Sequence, residues 1–233
     1  MSSNPFGILR FHEQYFERIW GGQRLRTLYN KPLSGDKPIG EAWLISDHPS
    51  AVSVVREGPH AGRTLHDLIG IDADALLGAR SKLTPHGRFP LLLKLLDSTD
   101  VLSVQVHPDD KTALTLGEPD VGKTEMWHIL HADPGAELFC GLEPGTTQTG
   151  MKSAIEAGTL EQHLTRFNVT AGDSVFVAAG TVHAIGAGIV LAEIQQNSDL
   201  TYRLYDWGRV DASGKARELH IEKGLRATKF DDQ

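Results

Sequence analysis

Cysteine occurs once in the 233 residues, at Cys140, so no intrachain disulfide can form. That usage fits a reducing cytoplasm and leaves the fold without covalent cross-links. Long hydrophobic runs are missing too. No apolar stretch approaches the roughly 20 residues of a membrane-spanning helix, so no membrane partner is expected. The opening MSSNPFGILRF lacks the charged and apolar regions of a signal peptide. Positive charge is in short supply: 23 Lys and Arg stand against 30 Asp and Glu, a formal net charge of -7. That balance argues against a general nucleic-acid role. It also means that an anionic ligand must be held by Lys and Arg gathered at one place, because the overall field repels it. The chain shows no internal repeat and no low-complexity tract. Its length suits one domain, residues 1–233, with a substantial core, since β-barrels of this size are commonly single domains.

What is present is concentrated between Leu91 and Leu130, LLLKLLDSTDVLSVQVHPDDKTALTLGEPDVGKTEMWHIL. From Val101 the residues alternate, with Leu102, Val104 and Val106 on one face and Ser103, Gln105 and His107 on the other. That is the period of a half-buried strand. A second alternating run, Lys123 to Leu130, puts Lys123 and Glu125 on the face of Trp127. If the two strands neighbour each other, an amide, an imidazole and a carboxylate converge, a set that suits a divalent metal of borderline hardness, zinc first. The ammonium of Lys123 would then be free to act on a substrate beside them. Downstream, His183 sits among small residues in AGDSVFVAAGTVHAIGAG, where a tight strand–turn–strand would bring it opposite Gln105 and His107. Spacing alone carries limited weight here. A lone strand histidine is more often structural than a ligand, and the chain has 11 of them.

Other stretches give the frame. Glu41 to Ser46 and Ala51 to Val55 read as strands joined in a hairpin. Trp20 in IWGGQRL reads as a core anchor beside a tight turn. Residues 63–82 change to helical spacing, with Thr64 and Asp72 as caps of two short helices. His66 within them has no partner in view and reads as solvated. Asp109 or Asp110 caps a further short helix. TTQTGMKSAIEAGTLEQHLTRFNV reads as a helix divided at Gly158, so helical insertions are expected at about 64–80 and 148–166. Lys94 stands in the apolar run LLLKLL, where a buried ammonium must be paired or neutral. A bridge to Asp97 or to a remote acid is one reading, and catalysis is the other. IVLAEIQQNSD and TYRLYDWGR alternate again, turning Glu193 and Arg203 to inward faces. An inward Arg is costly without an anion, which can be Glu193 or a ligand. RELHIEKGLRATKF closes the chain as a helix.

Six segments, IWGGQRL, IGEAWLISDHPS, SVQVHPDD, GKTEMW, AGTVHAIG and EIQQNSDLTYRLYDWGR, together resemble the type I mannose-6-phosphate isomerases. These are zinc enzymes built on the cupin barrel, and the likeness covers most of the chain. The resemblance implies a mainly β fold, a cupin (jelly-roll) barrel with added helices. It implies one Zn2+ per chain held by Gln105, His107, Glu125 and His183, of which the last three are the firmer and Gln105 a weaker or neighbouring partner. Three protein ligands would leave an open position for water or substrate. It assigns catalysis to Arg203 and Lys123 and substrate contact to Lys123, Arg203 and Glu193. Mannose 6-phosphate and fructose 6-phosphate are the implied substrates, interconverted through an enediol. Longer relatives continue into a further β-domain, so the resemblance is to a short form without it. Two positions depart from the general cupin pattern. Ala178 stands where many cupins carry a proline, and Gln105 where many carry histidine. The Gln, and a carboxylate placed as late as Glu125, agree with the isomerase branch.

Such an isomerisation needs a base and stabilisation of the enediolate oxygen. Lys123, Glu193 or a metal-bound water could each supply the base. Two other readings remain beside the isomerase: a non-catalytic or differently specific metal-binding sugar-phosphate cupin, and a cupin dioxygenase using iron. Lys123 with Arg203 favours the isomerase over a non-catalytic cupin, since ligand binding by metal alone requires neither. Oligomeric state is not legible in the sequence.

Overall fold

The computed structural model describes residues 5–210 and 213–230. The first four residues of MSSNPFGILRF, residues 211–212 and residues 231–233 lie outside the described part. Alternation of apolar and polar residues yields thirteen described strands, taken here in chain order. They are β1 (Gln14–Gly22), β2 (Ile39–Ile45), β3 (Asp47–His48), β4 (Ala51–Val52), β5 (Leu91–Ser98), β6 (Val104–Val106), β7 (Glu125–Ala132), β8 (Glu137–Leu142), β9 (Leu164–Asn168), β10 (Ser174–Val177), β11 (His183–Ile185), β12 (Ile189–Gln196) and β13 (Tyr202–Tyr205). Helices α1 (Arg24–Thr27), α2 (Leu65–Leu77), α3 (Asp110–Thr115), α4 (Gln148–Ala157) and α5 (Ile221–Ala227) punctuate them.

Two sheets form the body. One runs β1-β2-β5-β12-β7-β10 and the other β13-β6-β11-β8-β9, with neighbours antiparallel throughout. This is a mainly β double-layered barrel of cupin type. Between the layers lie Trp20, Leu96, Trp127, Ile129 and Leu191 from the first sheet against Leu138 and Ile185 from the second. Full burial of each such aliphatic side chain stabilises by roughly 1.5–3 kcal/mol. The outer face of the second sheet is covered by helices: Met151 and Ile155 of α4 and Leu225 of α5 pack on Val104, Val106, Tyr202 and Leu204. The inner space at one end of the barrel is left to polar side chains.

Several local expectations differ from what is observed. The hairpin of Glu41–Ser46 with Ala51–Val55 does not form: β2 pairs with β1 on one edge and β5 on the other, so both its edges are taken. Across the turn the pairing is confined to the two-residue strands β3 and β4 and one further backbone bond, from the Ser53 N–H to the Ser46 carbonyl at 2.7 Å. One expectation in this stretch holds: two short helical pieces lie within residues 65–77 and meet at Asp72, whose φ of -160° breaks the helical path and whose carboxylate caps the second piece by accepting from the Ala75 N–H. Thr64 and Asp67 form the N-terminal capping box. Helix α4 ends at Gly158, left-handed at φ 70°, as a C-terminal glycine favours. A 3-10 turn, Leu160–His163, follows, and Leu164 to Arg166 belong to β9 rather than to the helix. The closing helix spans Ile221–Ala227 only. His66 has a partner after all, Asp47 at 3.2 Å.

Candidate metal centre and cleft

Glu125 opens β7 with the alternation Glu125, Trp127, Ile129 buried and Met126, His128 exposed, so its carboxylate faces between the sheets. His107 follows β6 directly, and His183 opens β11, where it is in register with Gln105 across the sheet. Ligand atoms of His107, Glu125 and His183 all lie within 4.8 Å of one another, and all three residues are buried. Nε2 of His107 is 3.3 Å and Nε2 of His183 3.7 Å from a Glu125 oxygen. The Nδ1–H of His107 donates to the Leu200 carbonyl at 2.8 Å, and that of His183 to the Thr181 carbonyl at 2.9 Å. A carbonyl only accepts, so each ring keeps its proton on Nδ1 and turns the Nε2 lone pair inward.

Burial, with Lys123 adding to it, lowers His107 to about 3, and burial also lowers His183. Burial alone would raise Glu125, yet Lys123 and His107 hold its carboxyl well below the usual range. Nε2 of His107 and both oxygens of Glu125 are buried without a hydrogen-bond partner among the described residues. Buried polar atoms are rarely left so. Two neutral imidazoles and a carboxylate aimed at one point fit a divalent metal, and a Zn2+ fits the nitrogen–oxygen set. The Gln105 amide lies 3.3 Å from Nε2 of His183. Its nitrogen faces that ring in this orientation; half a turn of the amide presents the oxygen instead.

Lys123 completes the group from the segment before β7, its Nζ 3.2 Å from Glu125. Its backbone N–H donates to the Pro108 carbonyl at 3.0 Å, which fixes it beside the residue following Pro108's neighbour His107. From there a cavity of about 240 Å³ opens, with Lys94, Glu41, Glu193 and Arg18 on one side and Ser103, Arg203 and Arg217 on the other. Lys94 pairs with Glu193 at 2.8 Å and with Glu41 at 3.8 Å, so its partners are remote acids. Asp97 instead accepts from the backbone N–H of Arg24. Burial by itself would lower Lys94, but Glu193, Glu41 and Glu125 outweigh it and keep the ammonium charged. Burial would likewise raise Glu41, but Lys94 and Arg18 hold it at about 2. Glu193 goes the other way: burial and the neighbouring Glu125 push it up against Lys94 and Lys123. The Trp127 indole N–H donates to Glu193 at 2.9 Å and fixes its orientation.

Arg203 stands opposite Gln105 across β13 and β6. It forms no bridge to Glu193 among the described contacts. One guanidinium nitrogen donates to the Glu218 carbonyl at 2.9 Å, and its Nε is buried and unpaired. Arg217, by contrast, is tied to Asp206 by two hydrogen bonds, Nε at 2.7 Å and NH2 at 2.5 Å. The structure thus gathers Gln105, His107, Glu125, His183, Lys123, Glu193 and Arg203 at one end of the barrel. Glu41, Arg18 and Arg217 were not singled out from the sequence. The signal for Glu41 was there in IGEAWLI: a lone acid in an apolar strand is the complement of the lone base in LLLKLL.

No helix among the described residues is long and apolar enough to cross a membrane. Residues 8–133 match the family described as phosphomannose isomerase type I, catalytic domain. The mannose-6-phosphate isomerase of Streptococcus mutans is 42% identical over 217 residues, which are 93% of this chain and 66% of that protein. The Bacillus subtilis mannose-6-phosphate isomerase ManA is 43% identical over 226 residues, 97% of this chain and 68% of that one. A crystal structure of the mannose 6-phosphate isomerase from Bacillus subtilis superposes with a TM-score of 0.87 at 37% identity, covering 97% of this chain and 69% of that chain. The chain spans about two thirds of the length of these relatives. Fold, cleft and sequence likeness run over the same residues, and the chain belongs to the phosphomannose isomerase type I family.

Proposed function

We propose that the protein is a metal-dependent aldose–ketose isomerase that interconverts mannose 6-phosphate and fructose 6-phosphate. The observation that carries the reading is the buried donor set His107–Glu125–His183, with Nε2 of His107 and both Glu125 oxygens unpartnered, opening into a cleft lined by Lys and Arg in a chain of net charge -7. Local positive charge in an acidic protein suits an anionic substrate, and the relatives' names supply the sugar. The 233 residues act as one catalytic barrel unit, with the stretches about 64–80 and 148–166 as its helical insertions. The single cysteine agrees with a reducing cytoplasm as its location.

His107, Glu125 and His183 would hold one Zn2+, with Gln105 beside them. A divalent ion held there would supply Lewis-acid polarisation of the substrate's carbonyl and neighbouring hydroxyl oxygen. Arg203 offers its unpaired Nε to the substrate's anionic or developing negative oxygen. Lys123, held against Glu125, donates to an oxygen on C1 or C2 and stabilises negative charge there. Glu193, pushed upward by burial, is the carboxylate closest to a working proton acceptor. It takes the proton from one carbon and returns it to the other. Lys94 and the Trp127 indole hold Glu193 in place during the transfer.

The test is a coupled assay of purified protein on several hexose phosphates, with and without chelator. Turnover of mannose 6-phosphate that disappears on metal removal and returns with Zn2+ is expected. Unchanged turnover after complete metal removal, or none with any hexose phosphate, overturns the reading. Binding without turnover would place the chain among sugar-phosphate binders instead.

A further inference from the structure

A second cavity, of about 370 Å³, shares no lining residue with the main cleft. Its wall includes His48, Thr84, His86, Arg88, Asp120 and Asn197. Some of these groups are fully engaged. Asp120 accepts from His48 at 3.1 Å, from the Asp199 N–H at 2.9 Å and from the Val121 N–H at 3.0 Å. Nδ1 of His48 is bonded to the Ser50 hydroxyl at 2.6 Å. The carboxylate is therefore not available to a cation, and no metal-ligand group of three His, Cys, Asp or Glu converges here among the described residues.

The remaining groups are left over. Asn197 is 3% exposed, and its side-chain oxygen is buried with no hydrogen-bond partner. A buried acceptor without a donor calls for one from outside the protein. Arg88 spends one nitrogen, NH1, on Asp47 at 3.2 Å. Among the described residues its Nε and NH2 have no hydrogen-bond partner, and neither has the exposed imidazole of His86. Asp47 itself is fully buried and is also satisfied by the Phe89 N–H, so it fixes the guanidinium without occupying its free edge. The cavity thus presents one buried acceptor without a partner and two donor side chains, Arg88 and His86, with nitrogens that no described residue occupies.

We propose that this cavity is a second binding site for a small hydroxylated anion, a phosphorylated or carboxylated polyol. Arg88 and His86 hold the anionic group, and a ligand hydroxyl donates to the Asn197 oxygen. The guanidinium fork suits a phosphate or carboxylate edge, and a ligand hydroxyl can take the place of a water as donor to the Asn197 oxygen. The site is independent of the chemistry in the main cleft.

Calorimetric titration tests it with glycerol 3-phosphate, glycerate, inorganic phosphate and glycerol as probes, using Arg203→Ala protein to weaken anion binding in the main cleft. One equivalent of glycerol 3-phosphate or glycerate should bind, and whichever binds tighter names the anionic group. Inorganic phosphate and glycerol, each lacking half of the recognition, should bind at least about tenfold more weakly. Asn197→Ala and the exposed His86→Ala, each combined with Arg203→Ala, should weaken the better probe by about tenfold. His86→Ala cannot disturb the core, so a folding defect in the Asn197 variant leaves the test intact. Absence of binding by all four probes, or binding unaffected by both substitutions, overturns the proposal.

Discussion

Arg203 and Glu41 are both charged residues on strands of the barrel, and their surroundings predict opposite consequences of removal. Arg203 makes one side-chain bond to the protein, to the Glu218 carbonyl, and keeps a buried Nε unpaired. Arg203→Ala should lower kcat/KM by about 10²–10³, the usual loss when a donor to a developing charge is removed. Metal content should stay full, and the urea midpoint should shift by no more than about 1 kcal/mol equivalent. Loss of folding instead would make the guanidinium a structural group. Glu41 is the reverse case, with both oxygens committed: one to Arg18 at 2.7 Å, the other to the Trp43 indole at 2.7 Å. Its folded carboxyl sits at about 2, below its ordinary value of 4.5. A depressed folded value gives stability that is present above pH 4.5 and lost as pH falls toward 2. The full effect is on the order of 3 kcal/mol as an upper figure. Glu41→Gln protein should therefore be less stable than wild type at pH 6, with the gap narrowing steadily by pH 3. Denaturant titrations across that range measure it, and a gap independent of pH would refute the assigned shift.

Between α3 and β7 the backbone itself positions the chemistry. Gly122 presses so closely on the Asp109–Asp110 backbone that a Cβ there would meet Asp109 C and Asp110 N at 2.5 Å. The Gly122 N–H donates to the Asp110 carboxylate at 2.8 Å, and Lys123 N–H to the Pro108 carbonyl at 3.0 Å. This seam sets Lys123 and Glu125 against His107. Gly122→Ala cannot be absorbed by a side-chain shift, so it should cost about 1–3 kcal/mol. Both Zn2+ affinity and turnover should fall with it, whereas a variant with wild-type metal affinity would show the seam to be irrelevant to the site. The same elements show what was legible beforehand. Alternation in EMWHIL placed Glu125 inward, and the small residues around His183 marked a turn into the barrel. The cap residues Thr64 and Asp72 were readable because their chemistry is local. Pairing was not readable, because alternation states which face a residue takes but not which strand lies beside it. The hairpin expected for 41–55 failed for that reason: β5, some fifty residues on, takes the edge of β2 that Ala51–Val55 would have used. Lys94 was visible as an anomaly, but its partners Glu193 and Glu41 lie on strands that only the sheet order brings to either side of it.

On the scale of the whole barrel, the donor set joins two layers. Glu125 belongs to the six-stranded sheet, while His183 and the segment carrying His107 belong to the five-stranded one. A metal held by all three would therefore link the layers at the end where the core gives way to polar side chains. Below that end the layers are already held by Trp127, Ile129, Leu138 and Ile185, so the metal-free protein should remain folded. It should nevertheless be weaker. A ligand that binds only the folded state stabilises it by about 2.7 kcal/mol when present at a hundred times its dissociation constant. For a chain of this size that corresponds to a rise in Tm of roughly 5–10 °C. Calorimetric scans of wild-type protein, stripped with chelator and then reloaded with Zn2+ at that excess, should show the rise. The increment should vanish in His183→Ala, which removes one of the five-stranded sheet's two ligands but leaves Glu125 paired to Lys123 at 3.2 Å. Arg203→Ala should keep the full increment, because its guanidinium faces the cleft and none of its bonds involves the donor set. Equal Tm values for stripped and loaded wild type would mean that the three residues do not hold a metal between the sheets, and their unpartnered atoms would then need another occupant.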